Sequence, residues 1–186
     1  MTPVLALPFP RGTTFQQGLS LTPTDTSFQD LEGKIFESHD TVHGTGRMIK
    51  LRVVKNDTGA VITVARRFVT FSTTSAYDYG SRVSGFSGAG NVCKPLDDKY
   101  AVGFEIPDDD LFYVVEEGPC NVLTEASAVA LTGTGNVVAS DASGYVNGTP
   151  CNQATEYAAG VIGPAATSTA TAVVVNVEAG LHRIGT

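Results

Sequence analysis

Residues 100–125 read YAVGFEIPDDDLFYVVEEGPCNVLTE, and the fold turns on how this stretch is understood. Leu111, Phe112, Tyr113, Val114 and Val115 form an unbroken apolar run between the acidic loop Pro107-Asp108-Asp109-Asp110 and a Gly118-Pro119 turn. Valine and aromatic side chains suit a packed, pleated surface, and Gly-Pro interrupts such a run, so the stretch predicts a buried strand entering a β-domain. Beyond it, Cys120, Val122 and Thr124 alternate with Asn121 and Leu123. The three aspartates lack the spacing and the glycine of an EF-hand and are expected as a solvated loop at a junction.

The stretch also separates two halves of opposite charge. Residues 1–96 carry ten Lys and Arg against seven Asp and Glu, whereas residues 97–186 carry two against twelve. Such a chain either associates through surfaces of different sign or neutralises its halves within one fold. Its 186 residues hold 20 glycines and no tryptophan, and the 42% of hydrophobic residues are mostly valine and alanine, a mixture that favours short strands and tight turns. The expected fold is all-β: a small barrel or sandwich lobe with a β-hairpin and an extended proline-rich arm. It divides into the arm (1–32), a basic hairpin region with a long Gly/Ser-rich excursion (33–99) and an acidic β-lobe (100–186).

Cys93, Cys120 and Cys151 are odd in number and far apart in sequence, so they suggest neither a disulfide framework nor a zinc knuckle and are expected as buried hydrophobes. No apolar run approaches the roughly 20 residues of a membrane-spanning helix. The N-terminus MTPVLALPFPRG has no basic region and is interrupted by Pro3, Pro8 and Pro10, so no signal peptide is expected and synthesis in a cytoplasm fits best.

In residues 1–32 the prolines exclude a regular helix or central strand, yet Leu5, Leu7, Phe9 and Phe15 make the segment too apolar for a solvated tail. An extended arm is expected, lying on a neighbour or on its own core. His39 and His43 flank Asp40 among turn residues and are expected as exposed loop histidines rather than metal ligands. In Arg47–Lys55, Met48, Lys50, Arg52 and Val54 alternate with Ile49, Leu51 and Val53; Asn56-Asp57-Thr58-Gly59 turns the chain, and Ala60–Phe71 returns. This is a hairpin whose Lys50, Arg52, Arg66 and Arg67 form a basic ribbon. No closely interleaved aromatics accompany it, so a contact with an acidic protein surface, or a solvated face, is favoured over nucleic acid.

Asp57-Thr58-Gly59-Ala60 matches the catalytic loop of retropepsin-like proteases, which need two such carboxylates sharing a proton and hence a homodimer. Lys55 and Asn56 replace the buried apolar strand that leads into that aspartate, and a tight turn explains the four residues more simply. Residues 72–99 contain no dinucleotide fingerprint. After residue 125, short β units recur about every ten residues, and no Ser/His/Asp or Cys/His set is legible.

The succession of LRVVKNDTGAVITVARR, IPDDDLFYVVEEGP, VVEEGPCNVLTEASAVALTGTGNVVASDASG and EYAAGVIGPAATSTATAVVVNVE resembles the small β-rich decoration, or cement, proteins of tailed bacteriophage capsids. The resemblance spans residues 47–178 and omits the arm and the 72–99 excursion. It implies a non-enzymatic virion protein without cofactor or metal, made in the host cytoplasm. Such a protein binds the outer capsid surface, commonly as a homotrimer, and bridges neighbouring major capsid subunits, with no direct nucleic-acid or membrane contact. On that reading Leu5, Leu7, Phe9 and Phe15 are the expected clamp and Lys50, Arg52, Arg66 and Arg67 the second contact. A head fibre or receptor-binding protein shares the β composition, but its stalk-like repeat is missing here.

Overall fold

The computed structural model describes residues 7–15, 31–44, 46–63, 66–73, 80–86, 93–124, 137–138, 140–141, 143–147, 160–162 and 172–177. Among the described residues eleven strands follow in order: β1 (Ile35–His39), β2 (Met48–Asn56), β3 (Ile62–Thr63), β4 (Phe68–Phe71), β5 (Arg82–Gly85), β6 (Cys93–Pro95), β7 (Glu105–Ile106), β8 (Leu111–Leu123), β9 (Val137–Val138), β10 (Gly160–Ile162) and β11 (Ala172–Val177). The described fold is all-β, as its valine, aromatic and glycine content predicts.

β8 is the organising element. Its first half pairs antiparallel with β2, from Lys55↔Leu111 to Lys50↔Glu117, and its second half pairs antiparallel with β11, from Val177↔Gly118 to Ala172↔Leu123. The sheet runs β6-β4-β5-β2-β8-β11-β10-β9, with β1 added to β2. A bridge from Leu96, just past β6, to Val114 of β8 brings the first five strands round into a nearly closed barrel. Closure of this kind satisfies sheet edges without a covering helix.

Leu111–Val115 are fully enclosed, as the sequence predicts. An unbroken apolar run has both faces of its strand to bury. One set of alternate residues follows the barrel wall beside Val54 of β2. On the other set, Tyr113 stacks on Phe9 of the arm, so both faces are dry. Between Lys50 and Leu51 the register slips by one, leaving Glu116 as the extra residue of a β-bulge. Gly118 follows with φ 117°, and a Cβ there would lie 2.7 Å from Ile49 Cγ2. Only glycine accepts that backbone and that approach.

The acidic loop is more ordered than a solvated run. Asp108 Oδ1 accepts the Gly59 amide at 3.0 Å and Asp109 pairs with Lys55. Asp110 is 5% exposed, which corrects the expectation for that residue. Its carboxyl is raised above the usual range by burial, against a hydrogen bond from Thr14.

Candidate functional site

The arm meets the barrel over β8. Phe9 is 5% exposed and stacks on Tyr113 with centroids 4.3 Å apart and on Phe15 at 5.7 Å. Tyr113 Oη donates to Phe9 O at 2.8 Å, and Tyr100 Oη donates to Thr13 O at 2.9 Å. Phe15 and Leu111 exchange both backbone hydrogen bonds at 3.0 and 2.9 Å, extending the sheet by one bridge. Between these anchors Gly12, at φ 79°, lets the backbone approach Lys99 O, which a Cβ would meet at 2.7 Å. Leu7 and Phe15 are partly buried against the same core. Of the four expected clamp residues, Phe9, Phe15 and Leu7 are therefore anchors on the chain's own barrel, and Leu5 lies outside the described residues. Burial of the Phe9 ring alone is worth about 2 kcal/mol, more than a surface contact offers.

Beside the aromatic anchors lies a buried charge cluster. Arg11 Nε and Nη2 form a two-pronged pair with Asp97 at 2.9 and 2.6 Å, and Nη2 lies 3.7 Å from Asp98. The planar fork suits a carboxylate, and both partners are withdrawn from water, so the pair is tightly held. Asp98 Oδ2 accepts the Asn121 amide at 3.0 Å and lies 3.3 Å from His43 Nε2; on the other side of the ring, Nδ1 lies 3.4 Å from Asp40 Oδ1. His43 is thus no exposed loop histidine: its side chain is only 12% exposed, because Asp40 turns the 40–43 loop inward by accepting the Val42 and His43 amides. His39 does remain exposed. Burial raises the Asp98 carboxyl, as does Asp97, against the Asn121 amide, His43 and Arg11, which favour its ionised form. Burial alone would lower the Arg11 guanidinium, but Asp97 and Asp98 leave it raised.

The four basic residues of the expected ribbon do not share one free surface. Lys50 pairs with Glu117 at the surface. Arg52 turns inward, donating to Glu116 Oε2 at 2.9 Å and to Gly80 O at 3.1 Å. Glu116, at the bulge, also receives Lys94, whose Nζ donates to its backbone carbonyl at 3.1 Å and lies 3.6 Å from Oε1. Arg67 lies over Phe86, 4.1 Å from the ring centroid, and 5.4 Å from that of Tyr145, an enclosed cation–π arrangement. Arg66 has φ 51° and is partly buried, and its carbonyl accepts the Leu123 amide at 2.9 Å. Lys50 alone of the four keeps the character of an outward contact residue.

Several of the chemically active groups among the described residues are enclosed or committed to partners within the fold. Burial pushes the Cys120 thiol well up, assisted by Asp98 and Asp97, and it has no solvent exposure. Burial lowers the Lys94 amine, but that side chain is only 4% exposed. Tyr113 is pushed up to about 12 by burial, and its hydroxyl is committed to Phe9. Asp57 lies exposed on a turn organised by Asn56, whose Oδ1 accepts the Thr58 amide and hydroxyl. Among the described residues no group of three or more His, Cys, Asp or Glu is arranged to hold a metal ion.

Sequence reasoning missed Arg11, Asp97, Asp98, Tyr100 and the inward role of Glu116. Arg11 and Asp97 are 86 residues apart, and no local pattern marks such a pair. The burial of Tyr113 was legible in the run around it. Compared with known family models, curated proteins and solved structures, the chain finds no match.

Proposed function

We propose that this chain is a structural virion protein, a decoration protein that binds the outer face of a bacteriophage capsid and bridges neighbouring major capsid subunits. The resemblance through residues 47–178 supplies the reading, and the rooted arm is the structural observation that carries it. Phe9, Arg11 and Phe15 fasten the arm to β8, so the segment before Leu7, with Leu5, is tethered to a rigid body. A tether of that kind transmits tension between two subunits instead of unravelling. The clamp on a neighbour then falls to Leu5 and its surroundings, with Lys50 as a second contact. The buried thiol of Cys120 suits a protein made in a reducing cytoplasm. The enclosure of Cys120 and Lys94 fits a protein with no reaction to catalyse. Repeated over a lattice, many weak contacts add through effective concentration.

The test is co-sedimentation of purified protein with capsids that lack it, comparing the full chain with one lacking residues 1–6. Residues 7–15 are kept because they belong to the core. The full chain pellets with capsids and the shortened chain binds at least tenfold more weakly. Equal binding removes the clamp, and no binding by either removes the decoration reading.

A further inference from the structure

β1 lies at the edge of the sheet, paired on one side with β2 in the register Ile35↔Arg52 to His39↔Met48. In an antiparallel ladder, alternate residues turn their backbone groups toward the partner strand. Asp40 N bonds to Arg47 O, and Val53 N to Lys34 O. The even-numbered residues of β1 therefore face β2, and Ile35, Glu37 and His39 turn their N–H and C=O groups outward. Arg11 Nη1 reaches the His39 carbonyl at 3.5 Å, which leaves Ile35 and Glu37 as the stretch of edge that pairs with no other described strand. The same hairpin carries three of the five exposed large apolar side chains of the described residues: Ile35 (45%), Met48 (38%) and Val42, in the connecting loop (37%).

We propose that this edge pairs with β1 of a second copy of the chain, antiparallel about a twofold axis. A twofold perpendicular to the sheet keeps each residue on its own face, so partners differ by an even number of positions. Pairing Ile35 with Glu37 of the other copy, and the reverse, engages every open group and forms four backbone hydrogen bonds. Phe36, partly buried against the core, then meets its own counterpart across the axis. Lys34 faces Ser38, and no like charges stand directly opposite. The neighbouring register sets Glu37 against Glu37 and requires the His39 carbonyl that Arg11 already holds. One Lys34 and one Glu37 leave this edge neutral in a chain of net charge −7, so a second copy is not repelled there and a highly charged partner gains nothing. The contact closes after two copies, so the threefold association that the resemblance implies uses a different surface.

This inference rests on β1 and not on capsid binding, and its test needs no capsid. Sedimentation velocity of the full chain over a wide concentration range shows a monomer–dimer equilibrium. Ile35→Glu places like charges opposite each other at both crossing points and weakens the dimer by about tenfold, while circular dichroism and the melting temperature stay close to those of the parent, since position 35 is exposed. Ile35→Glu combined with Glu37→Lys sets opposite charges in those positions and restores the dimer. A chain that is monomeric throughout, or a dimer indifferent to both changes, overturns the proposal.

Discussion

At the scale of single residues, the fold depends on charges that find partners far along the chain. Arg11 and Asp97 are nearly enclosed, with side chains 8% and 0% exposed. Removing one member of such a pair strands the other without water, which costs more than the pair itself contributes. Arg11→Met is therefore expected to destabilise the protein by about 3–5 kcal/mol, measured by urea unfolding. Arg11→Met with Asp97→Asn is expected to recover part of that loss, because the orphaned charge is gone. An Arg11→Met chain as stable as the parent would show that the Arg11–Asp97 pair contributes nothing to the fold. The pairing was not readable beforehand: Arg11 lies in the expected proline-rich arm and Asp97-Asp98 at the start of the acidic half, and no local pattern joins them. Their meaning comes from the turn after β6 meeting the arm in space.

At the scale of elements, β8 does the work that the run Leu111–Val115 predicts, and more than it predicts. Its burial and its β conformation follow from uninterrupted apolar side chains, and that much was legible. Gly118-Pro119 reads as the end of a strand, yet the strand continues through it to Leu123. A bulge at Glu116 and a positive-φ glycine bend the strand from its partnership with β2 to that with β11, and Pro119 is accommodated within the ladder. The same residue types that stop a strand also bend one, and only the partners decide which. Gly118→Ala is expected to cost about 2–3 kcal/mol, from strained backbone and from contact with Ile49. Thermal unfolding of Gly118→Ala in the parent and in an Ile49→Leu background checks it: leucine lacks the Cγ2 methyl that the new Cβ would meet, so Gly118→Ala is expected to cost less there, by the steric share alone.

At the scale of the molecule, the charge asymmetry along the sequence is largely resolved inside one fold. Lys50–Glu117, Arg52–Glu116, Lys94–Glu116, Lys55–Asp109 and Arg11–Asp97 each join a residue of the basic half to one of the acidic half. The hairpin expected of residues 47–71 does not form: β2 pairs with β1, β5 and β8, while Ile62–Thr63 pairs with β7 and Phe68–Phe71 with β5 and β6, because a turn signal and two β runs do not say which strands become neighbours in a barrel. Arg52, expected on the outer ribbon, is partly buried against Glu116. Among the described residues the outward features are fewer: Lys50 at the surface and the edge of β1. The proposed function requires this barrel to bind the outer face of a capsid. Electron cryo-microscopy of capsids with and without the protein tests that most directly. It is expected to show added density of barrel size at symmetry-related positions on the outer surface, with a thin connection from the Phe9 end of the barrel to an adjoining capsid subunit. Capsids unchanged by saturating protein would contradict it.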